Sequence, residues 1–189
     1  MRIGVLALQG GVAEHRRVLE SLGATTCPVR RPRDMDGLDA VVLPGGESTV
    51  IDRLARLEGL DVVLAERIGA GLPCLATCAG LVYLARDVVG AAPGQATLGV
   101  LDVEVRRNAF GSQLDSFETE LDVAGVGRVP ATFIRAPLVC RVGEGVEVIS
   151  RLDDGRVVGV RQGAVTALAF HPEETDDPAV HRAWLETVA

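Results

Sequence analysis

The chain has 189 residues, a formal net charge of −7 and hydrophobic and charged fractions of 48% and 24%, which is enough for a sizeable core in an ordinary globular balance. The negative charge argues against nonspecific binding to nucleic acid or an anionic membrane, so neither is expected as a partner. Lysine is absent and all 19 basic residues are Arg, which excludes a Lys Schiff base or a P-loop Lys here and puts any carbonyl–amine chemistry of its pathway on another protein.

Residues 3–8 form an apolar run that reads as a buried strand. It is too short for a membrane span or a signal core, and Gln9-Gly10-Gly11 and Glu14-His15-Arg16-Arg17 follow it at once. A helix opens at Gly10-Gly11, with Val12, Val18, Leu19 and Leu22 on its apolar side, and ends at Gly23. Strands are expected over residues 25–29 and 40–43, the second stopped by Pro44-Gly45-Gly46. Helices follow over 47–57 and 62–70. Residues 74–76 form a fourth strand that runs into an apolar stretch after Cys78, read as a helix. Short apolar strands alternating with helices give an α/β class with a parallel sheet covered on both faces.

The second half reads differently. Residues 101–105, 117–121, 132–134, 146–150, 157–161 and 165–170 are strand-like and joined by short turns, with Asp153-Asp154-Gly155 as a hairpin signal. This half is expected to be antiparallel in part. Residues 177–188 close the chain as a helix anchored by Trp184. Without repeats or linkers, residues 1–189 are expected to be one domain. Aromatics are 3%, so the core is expected to be aliphatic.

In open parallel sheets ligands bind beyond the carboxyl ends of the strands. Gln9-Gly10, Pro44-Gly45-Gly46-Glu47-Ser48 and Thr77-Cys78-Ala79 all follow strands, so three loops are expected to converge on one crevice. Cys78 sits among small residues, Thr77-Cys78-Ala79-Gly80, at a strand-to-helix turn that would expose its sulfur as a nucleophile elbow does. A helix N-terminus behind it favours thiolate. The competing reading is a small buried hydrophobe, which is the reading for Cys27, Cys74 and Cys140. The four cysteines show neither a disulfide framework nor zinc spacing, so no metal is expected and a reducing, cytoplasmic setting fits best.

His171-Pro172-Glu173 can supply a base and a carboxylate to orient it, because residues i and i+2 of an extended segment face one side. Alternatively it merely opens a helix with solvated acids. His15 and His181, on helix-like stretches without a paired acid, read as surface residues. Two glycines in Pro44-Gly45-Gly46-Glu47-Ser48-Thr49 let backbone approach a ligand, and their amides with that of Ala79 could form an oxyanion hole; an ordinary turn is the alternative. Arg106-Arg107-Asn108 and Ile134-Arg135 could pair with carboxylates, in substrate or in surface salt bridges.

Seven segments taken together, in order along the chain, resemble the class I, triad-type glutamine amidotransferases. They are Gly4-Val5-Leu6-Ala7-Leu8-Gln9-Gly10, Leu43-Pro44-Gly45-Gly46-Glu47-Ser48-Thr49, Thr77-Cys78-Ala79-Gly80, Arg107-Asn108-Ala109-Phe110-Gly111, Asp115-Ser116-Phe117-Glu118, Phe133-Ile134-Arg135-Ala136-Pro137 and Phe170-His171-Pro172-Glu173. The first, fourth and sixth narrow the resemblance to the glutaminase subunits of two-protein pyridoxal 5′-phosphate synthases. Ala76, Ser112 and Glu174 depart from the family pattern, which has Gly, a basic residue and an apolar residue there.

The resemblance implies a flavodoxin-like three-layer α/β sandwich with a mixed, mostly parallel central sheet. It implies hydrolysis of L-glutamine without a cofactor and transfer of the ammonia to a barrel-shaped synthase subunit. By position it implies Cys78 as nucleophile, His171 as general base and acid, and Glu173 as orienter. Gly46, Glu47 and Ser48 would bind glutamine, with Arg107, Ile134 and Arg135 lining the pocket. The Gly46 and Ala79 amides would be oxyanion donors, and Gln9 would couple the site to the synthase subunit. Readings kept beside this one are another triad glutaminase, such as that serving imidazole glycerol phosphate synthesis, a γ-glutamyl hydrolase, and a noncatalytic binding subunit.

Overall fold

The computed structural model describes residues 1–110 and 116–188. Its strands are β1 (Arg2–Leu6), β2 (Thr25–Val29), β3 (Ala40–Leu43), β4 (Cys74–Thr77), β5 (Ala85–Val89), β6 (Leu101–Arg106), β7 (Phe117–Val123), β8 (Gly127–Phe133), β9 (Leu138–Val142), β10 (Glu147–Arg151), β11 (Val157–Gln162) and β12 (Val165–Leu168). The α-helices are α1 (Val12–Ser21), α2 (Ser48–Glu58), α3 (Leu60–Gly69), α4 (Ala79–Leu84) and α5 (Ala179–Val188). The main sheet runs β2-β1-β3-β4-β12-β11-β10-β7-β8, with β9 joining β11 to β6 and β6 pairing β5. From β2 to β12 every pairing is parallel. Beyond β12 pairing is antiparallel, except for β5 beside β6. The sheet is therefore mixed, as expected, and its parallel block holds the carboxyl ends that face the candidate site.

Continuous apolar runs make the parallel block. β3 and β4 are buried at every residue, as strands covered on both faces must be. α1 packs on β1, β2 and α5, while α2 packs on α3 and α4, so helices flank the sheet in two groups. In the antiparallel half β6 and β8 alternate between buried and half-buried positions, the pattern of strands with one wetter face. Trp184 is buried on α5, as expected of a packing anchor.

Three segments differ from the sequence reading. The apolar stretch after Cys78 is helical for six residues only; at Ala85 the backbone turns extended and continues as β5. β8 begins at Gly127 and ends at Phe133, so Ile134 lies beyond the strand expected over 132–134. Pro130 hid the first part of it, and β8 tolerates a proline because it is the edge strand. β9 gave no signal between Pro137 and Gly143. Its Cys140 is exposed and Cys27 half-buried, which corrects the buried reading for those two cysteines; Cys74 is buried.

The core is mostly aliphatic, with Tyr83 and Trp184 buried in it and a cluster of aromatics behind the candidate site. All four phenylalanines cluster there: Phe133 stacks on Phe117 with centroids 4.6 Å apart, and lies 5.5 Å from Phe110 and 5.7 Å from Phe170. Such pairs contribute about 0.5–1.5 kcal/mol each beyond their buried area. Phe133 and Phe170 each precede a site residue, Ile134 and His171, so this cluster fixes where those two chains leave the core. No described helix is long and apolar enough to cross a membrane.

Candidate active site

Cys78 lies at the carboxyl end of β4, on the turn into α4, with φ +46° and ψ −100°. A positive φ on a non-glycine residue costs on the order of 1–3 kcal/mol and persists only where the surroundings impose it. Here the Cys78 amide donates to Leu168 O at 2.8 Å and its carbonyl accepts from the Val82 amide. The elbow expected from Thr77-Cys78-Ala79-Gly80 is present. Ala76, one of the departures, is buried in β4 between Leu43 and Ala167.

His171 follows β12 and is held by its backbone: its amide donates to Thr132 O at 2.9 Å, an isolated bridge to β8. Its Nδ1 contacts Glu173 Oε1 at 2.8 Å, which leaves the other ring nitrogen for Cys78, a residue close enough to shift the imidazole. Glu173 reaches His171 by a different route from the extended one expected. Pro172 sets a helical φ, Pro172–Glu174 form a 3-10 turn, and the turn curls Glu173 back under the ring. Burial works against a charged His171. The hydrogen bonds and charges of Cys78 and Glu173 outweigh it and push the imidazole up to about 10. Burial works likewise against a charged Glu173, and the neighbouring His15 and His171 outweigh it and hold the carboxyl far below the usual range.

The other two loops close on this group. Gly11 N donates to Gly45 O at 3.1 Å, and the Glu47 amide donates to Gln9 Oε1. Gly10, at φ +106°, passes so close to Gly45 that a Cβ there would collide with Gly45 O. One pocket is lined by Gly46, Glu47, Ser48, Cys78, Ala79, Arg107, Ile134 and Arg135 among others. A second opening on the other side of Cys78 brings Gln9 beside His171 and Glu173. Every residue expected at the site is thus on one of these two clefts. Gly111, Ser112 and Asp115 lie outside the described residues; Glu174 is exposed at the second opening.

Charge in the first pocket is paired across its wall. Arg107 Nη2 donates to Glu47 Oε1 at 2.8 Å and Nη1 to Gln95 Oε1 at 2.9 Å, while Gln95 Nε2 donates to Ser48 Oγ at 3.0 Å. Asn108 and Arg135 share with Cys78 a positive φ, and these three are the non-glycine residues so placed among those described. All three line the pocket, so backbone strain is concentrated where a ligand would sit.

The sequence reading missed Thr77, Gln95, His15 and His181. The last two are corrections: read as surface residues, both are fully buried. Their helix positions held the signal. His15 stands three and four residues before Val18 and Leu19, and His181 three and four before Trp184 and Leu185, so each lies on an apolar stripe.

A thiol on a strained strand-to-helix turn, beside a carboxylate-bound imidazole at the carboxyl ends of parallel strands, is an arrangement suited to acyl transfer from an amide. A family model described as the SNO glutamine amidotransferase family matches residues 5–189. A Cutibacterium acnes protein named pyridoxal 5′-phosphate synthase subunit PdxT is 63% identical, with 99% of this chain and 96% of that one covered. A Corynebacterium glutamicum protein of the same name is 57% identical, with 100% and 96% covered. A crystal structure described as a glutamine amidotransferase matches with a TM-score of 0.93 at 49% identity over 98% of each chain. This chain belongs to the SNO glutamine amidotransferase family.

Proposed function

We propose that residues 1–189 act as one glutaminase unit, which hydrolyses L-glutamine to glutamate and ammonia and passes the ammonia to the barrel subunit of a pyridoxal 5′-phosphate synthase. His171 takes the Cys78 proton and the sulfur attacks the side-chain amide carbon. The Gly46 and Ala79 amides receive the developing oxyanion. The C–N bond breaks as His171 returns the proton to the leaving nitrogen, giving ammonia and a γ-glutamyl thioester. Water, deprotonated by the same ring, then breaks the thioester to release glutamate. Glu173 holds the imidazole in the tautomer and orientation that both steps need.

Glutamine selection falls to the pocket wall. Glu47 faces the α-ammonium and Arg107 the α-carboxylate, so a zwitterion replaces the contact the two residues make with each other; Ser48, Ile134 and Arg135 complete the fit. Gln9, bound to the Glu47 amide, ties this loop to the surface where the synthase subunit docks. The observation that carries the reading is His171, bound to Glu173 and beside Cys78, next to a pocket where Cys78 shares the lining with the Glu47–Arg107 pair. The names of relatives at 63% and 57% identity support the synthase partner. So does the absence of Lys, which leaves imine chemistry to that partner. The cysteines, free in the structure, suit a reducing cytoplasm.

The test is glutamate release by the purified chain, with and without the synthase subunit. Release from glutamine that rises at least about tenfold on adding the subunit, with asparagine left intact, is expected. Equal rates with and without it would remove the coupling, and equal rates on asparagine would remove the substrate assignment.

A further inference from the structure

Behind the triad lies a buried polar chain that the proposed reaction does not use. Among the described residues, the polar contacts of the Glu173 carboxylate fall on Oε1, two of them hydrogen bonds and the third an ion-pair contact. Oε1 meets His171 Nδ1 at 2.8 Å, Thr77 Oγ1 at 3.3 Å and His15 Nε2 at 3.4 Å. Oε2 is buried and has no hydrogen-bond partner among the described residues. His15 Nε2 also lies 3.1 Å from Thr77 Oγ1, and its Nδ1 lies 3.0 Å from His181 Nε2. His15 and Glu173 are both fully buried, and no solvent competes for these contacts.

The proton positions follow from counting donors. Thr77 Oγ1 has one proton and two lone pairs. One lone pair accepts the Gly45 amide at 2.9 Å. An ionised carboxylate can only accept, so the hydroxyl proton points at Glu173 Oε1, and the second lone pair faces His15 Nε2. That nitrogen, lying between a lone pair and a carboxylate oxygen, carries hydrogen. Glu173 Oε1 is therefore held from three sides, by the catalytic imidazole, by Thr77 and by His15. The N-terminal turn of α1 lies against the same oxygen, since a Cβ on Gly11 would stand 3.5 Å from it.

We propose that His15, its ring fixed by His181, is a positioning residue that holds Glu173 Oε1 on the His171 ring. This rests on the reading of Cys78, His171 and Glu173 as the triad. Removing His15 takes away one of three polar contacts of a buried carboxylate, and leaves that carboxylate free to turn toward its unpartnered oxygen. His171 then loses its fixed tautomer, and Cys78 loses its proton acceptor. Glutamine binding, which involves the opposite wall of the cleft, is untouched.

The experiment is steady-state glutaminase assay in the complex with the synthase subunit, together with the iodoacetamide alkylation rate of Cys78 at neutral pH. His15→Ala is expected to lower kcat about 10- to 100-fold with KM within about twofold, and to slow alkylation about tenfold. His15→Gln, whose amide nitrogen reaches the Nε2 position, restores both to within about fivefold. His15→Asn, whose amide ends at the Nδ1 position, restores neither. Leu19→Val, a packing change on the same helix, leaves both near wild type. Should His15→Ala fail to fold, the Gln and Asn variants decide alone. Equal behaviour of those two, a wild-type kcat for His15→Ala, or an equal loss in Leu19→Val would overturn the proposal. Cys78→Ala separates the two readings: activity in that variant removes the triad itself, whereas its inactivity beside an unaffected His15→Ala removes only the role of His15.

Discussion

Gly45 lies against the edge of the His171 imidazole so closely that a Cβ at residue 45 would overlap ring atom Cε1. The loop that follows β3 and the His171 ring therefore share one van der Waals surface. Gly45 also donates its amide to Thr77 and accepts from the Gly11 amide. A single small residue thus sets the spacing between the Gln9 segment, the His171 ring and the elbow.

Gly45→Ala is expected to push the imidazole off its line to Cys78. Displacement of a reacting group by about 1 Å costs on the order of 100-fold in rate. The expected result is a kcat lowered by about that factor, with the protein still folded by circular dichroism. A kcat within threefold of wild type would show that the ring has room the structure does not.

Arg107 spans Glu47 and Gln95 with two nitrogens, a geometry a Lys ammonium cannot copy. Arg107→Lys is expected to raise KM for glutamine about tenfold and change kcat less than threefold, because the guanidinium is assigned to binding and not to proton transfer. A fall in kcat at constant KM would move Arg107 into the chemistry.

His181 is buried, and burial first, then the neighbouring His15, pushes its imidazole down to about 3 from 6.5; Glu173 pulls weakly the other way. The native state thus binds fewer protons than the unfolded chain between those values, so stability falls as pH drops through that window. Glu173, held far below its ordinary 4.5, adds to the loss only below that value. On the alkaline side the sign reverses. His171, pushed up to about 10 from 6.5, contributes stability that is lost as pH rises across that range. Between about pH 6 and 5, urea unfolding of the wild type is expected to lose up to about 1.4 kcal/mol per pH unit more than His181→Gln. Parallel pH dependences would place His181 in contact with water.

What the sequence made legible was local. Thr77-Cys78-Ala79-Gly80 announces an elbow because only small residues fit a turn that tight, and Gly45-Gly46 after a buried strand announces close backbone approach. The parallel block was readable because β3 and β4 are apolar at every position. Contacts between segments far apart were not readable. Gln95 reaches Ser48 and Arg107 from a stretch with no periodicity, and β8 was masked by the proline its edge position tolerates. His15 and His181 were misread because histidine counts as polar, although both stand on apolar helix stripes. Glu173 was paired with the right partner through the wrong geometry, since an i, i+2 pair meets on a 3-10 turn as well as on a strand.

The assignment of Cys78 as nucleophile is tested most directly by glutamate release from the Cys78→Ala protein with the synthase subunit present. Loss of at least about 1,000-fold relative to wild type is expected when a covalent nucleophile is removed. Release at the wild-type rate would contradict it, and would leave the strained thiol at the carboxyl end of β4 without a part in the reaction.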